Sequence, residues 1–269
     1  PQLVEKLESL LLGERVAEPK GFANTYHHFK GKNGAKTSDP DNWSDYVYAN
    51  AGISYLEDKG SPRLSWVARI ENAGDRSSAA IADEDLEVLG LEVRGNAQTH
   101  AKQSLELGPG INLVGRNEIR LGAQATLTVD DGTVSSLRWI DSLPSASLNG
   151  HGLISAIVYN KGSLIVTGAA APTMRVQGDY HQSASASLKL TINGNKKPAV
   201  QVGGKARLNG TLDVVTSEGF APIPGKTLTV LTADRITGQF ANAENKVVAS
   251  DGSRFTIRYS ASAVTLTCQ

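Results

Sequence analysis

Between Leu86 and Thr167, short apolar stretches alternate residue by residue with polar positions and break repeatedly at Gly and Asn. Set in rows of about 22 residues, the length of a solenoid coil, Leu89 falls over Ile111, Leu91 over Leu113, Leu105 over Leu127, and Ile119 over Asp141 and Ser163. The segments LEVLGLEVRGN, GINLVGRNEIRLG, ATLTVDDGTVSSLRWID and SAIVYNKGSLIVTG carry this pattern. Gly and Asn at their ends supply the left-handed backbone that corners demand. A strip of Leu, Ile and Val repeated this way cannot be buried by one turn alone, so neighbouring turns must stack. The predicted fold is all-β: a parallel β-solenoid, right-handed β-helix-like, with its rungs over residues 43–172.

The flanks read differently. Residues 1–13 place Leu3, Leu7, Leu10 and Leu11 on one face of an amphipathic helix that Gly13 ends, and a helix so short needs a surface such as the open end of the solenoid to cap. Residues 14–42 read as a linker. There Phe22, Tyr26, His27, His28 and Phe29 lie among Lys20, Lys30, Lys32 and Lys36. Alternating aromatics and cations can grip single-stranded nucleic acid, but the cluster is short, and its aromatics are expected to lie on a neighbouring surface. His27 and His28 are adjacent and point to opposite faces of a strand, so they do not share a metal. In LSWVARI, alternation aims Leu64, Trp66 and Ala68 one way, Val67 and Arg69 the other. Beyond Pro172 the strands lengthen (MRVQGDYHQ, SASLKLTING, ARLNGTLDVV, KTLTVLTA, FTIRYS, AVTLTC). Residues 173–269 are therefore expected to close the far end of the same solenoid with antiparallel pairs that cover an exposed edge.

Composition narrows the class without changing the fold. Aromatic residues are 6% of a 269-residue chain that holds 27 Gly, which suits thin strands and tight corners better than a thick globular core. Lys plus Arg equal Asp plus Glu at 27 each, so no net field favours nucleic acid or an anionic membrane. The single cysteine, Cys268, permits neither an intrachain disulfide nor a Cys-based metal cluster. No apolar run approaches the ~20 residues of a membrane-spanning helix. The N-terminus lacks the basic-then-apolar layout of a signal peptide, so an exported protein would carry its signal upstream of Pro1.

Candidate chemistry is sparse. There is no Gly-x-Ser-x-Gly elbow, and the five histidines lie in unlike contexts. Asp130 and Asp131 fall in a turn-like DDGT, where Asx bonding to the backbone accounts for them. Asp83, Glu84, Asp85 and Glu87 read as a solvated acidic loop, because a hard cation wants six or more converging oxygens. No catalytic, metal or cofactor site is assigned. What remains is a column: at about 22 residues per coil, Arg94, Arg116 and Arg138 stack on the outer face, with Arg120 and Glu118 on the same side as Arg116. Stacked guanidinium groups repel, so they need counter-anions, either Glu92 and Glu118 or a sulfated or carboxylated glycan that fits the planar fork. Trp43 and Trp66 join the candidates as sugar platforms if exposed, and as core if buried.

Two resemblances add expectations. GDYHQ…ASLKLTING, followed by VGGKARLNGTLDV…GFAPIPGKTLTVLTADRITGQF and RYSASAVTLT, resembles the closing region of bacterial autotransporter-type passenger solenoids. ARIENAGD, DLEVLGLEVRGN, GRNEIRLG, LRWID and GHGLI together resemble the C-terminal solenoid that some marine-type bacterial sulfatases carry behind their catalytic domain, and PQLVEKLESLLL is similar to the helix ending a sulfatase's C-terminal subdomain. The resemblance covers nearly the whole chain, yet the Cys/Ser-x-Pro-x-Arg signature and the Asp and His metal ligands of that family are unmatched. The sole Cys is at the wrong end, and Ser61-Pro62-Arg63 lacks the spacing. The resemblance therefore implies a secreted, non-catalytic accessory module of a polysaccharide-degrading enzyme, with an upstream catalytic domain as partner and anionic glycan or the cell surface as its target. The alternative is a passenger or stalk that displays other domains and touches no sugar. A β-helix lyase or hydrolase with its site in an outer groove would need clustered acids with Arg or Lys, which this pattern does not assemble.

Overall fold

Side chains alternate in and out along almost every strand of this chain, and coils of three short segments turn that alternation into an inside and an outside. The structure is a computed structural model and describes residues 26–44, 46–47, 57–58, 62, 66–167, 173–193 and 197–269. It is the parallel β-solenoid that the pattern predicts. The first wall stacks Ala35–Lys36, Ser78–Ala82, Gln103–Leu107, the starts of the long strands Ala125–Ser142 and Ser147–Asn160, then Ser163–Val166, Ser187–Ile192 and Thr211–Thr216. The second stacks Leu86–Val88, Asn112–Gly115, the middles of the long strands, Met174–Val176, Val200–Val202 and Thr227–Thr232. The third stacks Tyr26–His28, Val67–Glu71, Gly90–Arg94, Glu118–Leu121, the ends of the long strands, Tyr180–Gln182, Lys205–Leu208 and Arg235–Gly238.

Inward positions form columns. On the third wall Ala68, Leu91, Ile119, Ile140, Val158, Tyr180 and Ala206 follow one another in register, all sealed from solvent. Each buried Leu, Ile or Val contributes about 1.5–3 kcal/mol, and it does so only while a coil lies above and below. The next inward column changes character along its length, from Ile70, Val93 and Leu121 to Ser142, Asn160 and Gln182. Its amides are bonded within the interior. Asn160 Nδ2 donates to Tyr180 Oη at 3.1 Å and to the Ser187 carbonyl at 3.1 Å, and Tyr180 Oη donates to Gln182 Oε1 at 2.7 Å. Gln182 Nε2 then donates to the Asn209 and Thr211 carbonyls at 2.7 and 3.1 Å. Burial pushes the Tyr180 phenol far up, so its hydroxyl stays a donor.

The coils are unequal in length, which corrects the row alignment. Leu105 does stack on Leu127, but Leu91 stacks on Ile119 rather than Leu113, Leu113 on Leu86, and Ile119 on Ile140 rather than Asp141. The cause sits at a corner. After Gly90–Arg94 the chain makes a loop over residues 95–102, tied down where Asn96 Nδ2 donates to the Ala73 and Gly74 carbonyls at 2.9 and 3.0 Å, before it enters the next strand. The acidic run at Asp83–Glu87 joins coils instead of standing free: Asp83 pairs with Lys36 at 3.1 Å, and Asp85 accepts from the Asn112 amide at 2.8 Å. That amide bond holds the exposed Asp85 carboxyl below its ordinary value.

The ends also shift the expected boundaries. The predicted helix over 1–13 lies outside the described residues, as do residues 14–25 of the predicted linker. The rest of that linker belongs to the solenoid, because Tyr26–His28 and Ala35–Lys36 pair in parallel with Val67–Glu71 and Ser78–Ala82. Adjacent His27 and His28 point to opposite faces as expected: His27 is buried, and His28 Nδ1 meets Glu71 at 3.1 Å. Parallel coils continue well past residue 173, to Arg235–Gly238. The antiparallel strands expected at the C-terminus are present: Ala263–Cys268 pairs with Thr227–Thr232 and Arg254–Tyr259, and the latter with Lys246–Val248. Reversing direction there ends the second wall on the three-residue strand Lys246–Val248, a poor template for a further coil.

Candidate functional site

Outward positions of the third wall also form one register column: His28, Arg69, Glu92, Arg120, Asp141, Tyr159, His181 and Arg207. Neighbouring strands lie about 4.8 Å apart, so alternating cations and acids come within reach. Arg69 Nη2 is 2.7 Å from Glu92 Oε2, and Lys161 Nζ is 2.7 Å from Asp141 Oδ1. Arg120 stands in register between those two acids, yet among the described residues its side chain has no hydrogen-bond or ion-pair partner, and its Nε is buried without one. Two hollows meet at this side chain. One, of about 740 Å³, is bounded by Glu71, Arg94 and the Asn96 corner; the other, of about 340 Å³, is lined by Glu118, Trp139, Asp141, Tyr159 and Lys161.

The smaller hollow owes its aromatic side to a bulge. Ser135 pairs with Ser155 and Trp139 with Ile157, so Ser136, Leu137 and Arg138 stand opposite the single residue Ala156. Such a bulge re-aims side chains: Leu137 is driven out to 80% exposure, and the Arg138 guanidinium folds back to 4.1 Å from the Trp139 ring centroid. One coil on, Tyr159 is 36% exposed. Its ring meets Trp139 edge-on at 6.3 Å and stacks on His181 at 4.9 Å. The hollow therefore has an aromatic side and a charged, hydrogen-bonding side. A pyranose presents the matching pair, an apolar C–H face and a rim of hydroxyls. A further outer hollow of about 400 Å³ on the second wall, holding Asp131, His151, Arg175 and Lys197, has no Trp, Tyr or Phe in its lining.

The column of Arg94, Arg116 and Arg138 is not formed. Arg94 is in register with Glu71 at the end of a third-wall strand, whereas Arg116 and Arg138 lie at the corner between the second and third walls, beside Asn112–Gly115 and within the bulge. The loop over residues 95–102 breaks the even spacing the column required. Arg94 and Arg116 have their anions inside the chain: Arg94 Nε bonds Glu71 at 2.8 Å, and Arg116 Nε bonds Glu87 at 2.8 Å. Burial pulls the Glu71 carboxyl up, but the Arg94 bond and the charges of Arg94, His28 and Arg69 prevail and hold it below its ordinary value. Of the four arginines, only Arg120 stands in the outer column, with Glu118 facing the same way two residues before it.

Trp43 and Trp66 are not sugar platforms, since each is 1% exposed. They fill the interior of the first coils: Trp43 Nε1 donates to the Thr37 carbonyl at 2.9 Å, its ring meets Trp66 at 5.8 Å and Phe29 at 5.2 Å, and His27 stacks on Trp66 at 3.6 Å. Asp130 and Asp131 lie at a corner of the long strand Ala125–Ser142, where Asp131 takes φ +53°, apart from the third-wall hollows. Among the described residues no three His, Cys, Asp or Glu converge as metal ligands.

Trp139, Asp141, Tyr159 and Lys161 are the residues that reading the pattern missed. The signal was present in LRWID and IVYNKG, where residues two apart put an aromatic and a charge on the same outward face in consecutive coils. Comparison with protein-family models, with curated proteins and with solved structures returns no match to this chain.

Proposed function

We propose that this chain is a non-catalytic module that binds polysaccharide along its third wall and so holds an attached polysaccharide-degrading enzyme, a sulfatase on the sequence resemblance, against anionic glycan outside the cell. The observation that carries this is the small hollow at Trp139 and Tyr159, aromatic on one side and ionic on the other, on a flat outer face long enough for an extended ligand.

Affinity electrophoresis in gels cast with sulfated or carboxylated polysaccharide tests it. The wild-type chain should be retarded. Trp139→Ala with Tyr159→Ala should lose about ten-fold or more in affinity, the equivalent of one to two aromatic contacts. Arg116→Ala should leave retardation unchanged, because that guanidinium is occupied by Glu87 and lines neither third-wall hollow. Retardation that survives loss of both rings would remove the site. No retardation on any glycan would favour a display stalk.

A further inference from the structure

We infer that Arg120 is the subsite for one acidic substituent, a carboxylate or a sulfate ester, on a polysaccharide laid along the solenoid axis across the third wall. This rests on the glycan-binding reading above and adds which group is recognised, by which residue and in what direction.

Three observations converge on Arg120. A planar guanidinium is built to meet an oxyanion through paired N–H donors, and among the described residues this one meets none: its Nε is buried without a partner. The acids on either side in register are taken, Glu92 by Arg69 and Asp141 by Lys161, each at 2.7 Å. The column thus alternates in sign from Arg69 to Asp141 and, among the described residues, leaves Arg120 unpaired. The same side chain lines both hollows, so an anion that reaches it can belong to a ring resting against Trp139 and Tyr159 or to its neighbour beside the Asn96 corner.

Direction follows from the register. Glu92, Arg120, Asp141 and Tyr159 come from successive coils, so the strip runs along the axis with a step of about 4.8 Å, close to the length one sugar adds to an extended chain. Glu118 lines the smaller hollow, where its carboxylate repels an acidic group and accepts from hydroxyls. Lys161 in that hollow is already paired with Asp141 at 2.7 Å, so Glu118 leaves the hollow to hydroxyls and the acidic substituent falls to Arg120.

Isothermal titration of the whole chain with three oligosaccharides of equal length, one uronate-bearing, one sulfated and one uncharged, decides the matter. At least one acidic ligand should bind about ten-fold or more tightly than the uncharged one, the ratio expected of a charge-assisted contact. Preference for the uronate assigns a carboxylate, and preference for the sulfated ligand assigns a sulfate. Arg120→Met should bring the acidic ligand down to the uncharged level and leave the uncharged one as it was. Asp141→Asn, which removes a neighbouring negative charge, should raise acidic affinity, and Arg120→Lys should fall between wild type and Arg120→Met. The last two variants decide the question if Arg120→Met does not fold. Equal binding of acidic and uncharged ligands, or acidic binding indifferent to Arg120, overturns the subsite while the glycan module stands. Binding of none of the three overturns both.

Discussion

Replacing Gly150 with alanine is expected to destabilise the solenoid by at least about 3 kcal/mol, strain and overpacking combined, and to lower the thermal midpoint by roughly 6–12 °C. Gly150 takes φ +105°, and a Cβ placed there would sit 1.9 Å from the Val129 carbonyl oxygen of the preceding coil. That oxygen is backbone and cannot swing away. The same corner repeats the device: a Cβ on Gly152 would meet the Gly132 carbonyl at 2.5 Å, and one on Gly132 would meet that of Ile111 at 2.0 Å. Coils lie so close here that only hydrogen fits between them. Gly110 separates this contact from dihedral preference, since it has φ +72° and nothing within 4 Å. Gly110→Ala should cost only about 1–2 kcal/mol. Melts followed by circular dichroism would read both, and equal shifts would show that close approach is not what Gly150 provides.

Gln182→Ala should cost on the order of 3–5 kcal/mol through unmade buried hydrogen bonds and a cavity. The amide serves three groups at once: it accepts from Tyr180 Oη and donates to the carbonyls of Asn209 and Thr211. Truncation leaves all three without that partner. Because Tyr180 then has lost its acceptor, Tyr180→Phe should cost less in the Gln182→Ala background than in the wild type, a coupling that a double-mutant cycle measures directly. Additive losses would mean that the bonds are not shared.

The alternation of apolar and polar positions was enough to foresee stacked parallel coils, because burial in a solenoid depends on nearest neighbours alone. It could not foresee register. Leu105 aligned with Leu127 because no insertion separates them, whereas Leu91 missed Ile119 once the loop over residues 95–102 lengthened its coil. Loop length leaves no trace in an in–out pattern. The arginine column failed for that reason, and Arg120 kept its place facing outward. Trp43 and Trp66 stayed open between platform and core because exposure follows from which coil lies beneath a residue, not from its type. Packed against Phe29 and His27 in the first coils, they are core. Trp139, raised by a bulge at a corner, is partly exposed.

That contrast makes tryptophan fluorescence the most direct test of the third wall as the binding surface. Of the three tryptophans, Trp43 and Trp66 are sealed inside, so acrylamide reaches chiefly Trp139. Saturating acidic oligosaccharide should protect the emission from quenching, and Trp139→Phe should abolish both the accessible fraction and its protection. Calorimetrically confirmed binding that leaves quenching unchanged would place the ligand elsewhere and contradict the account.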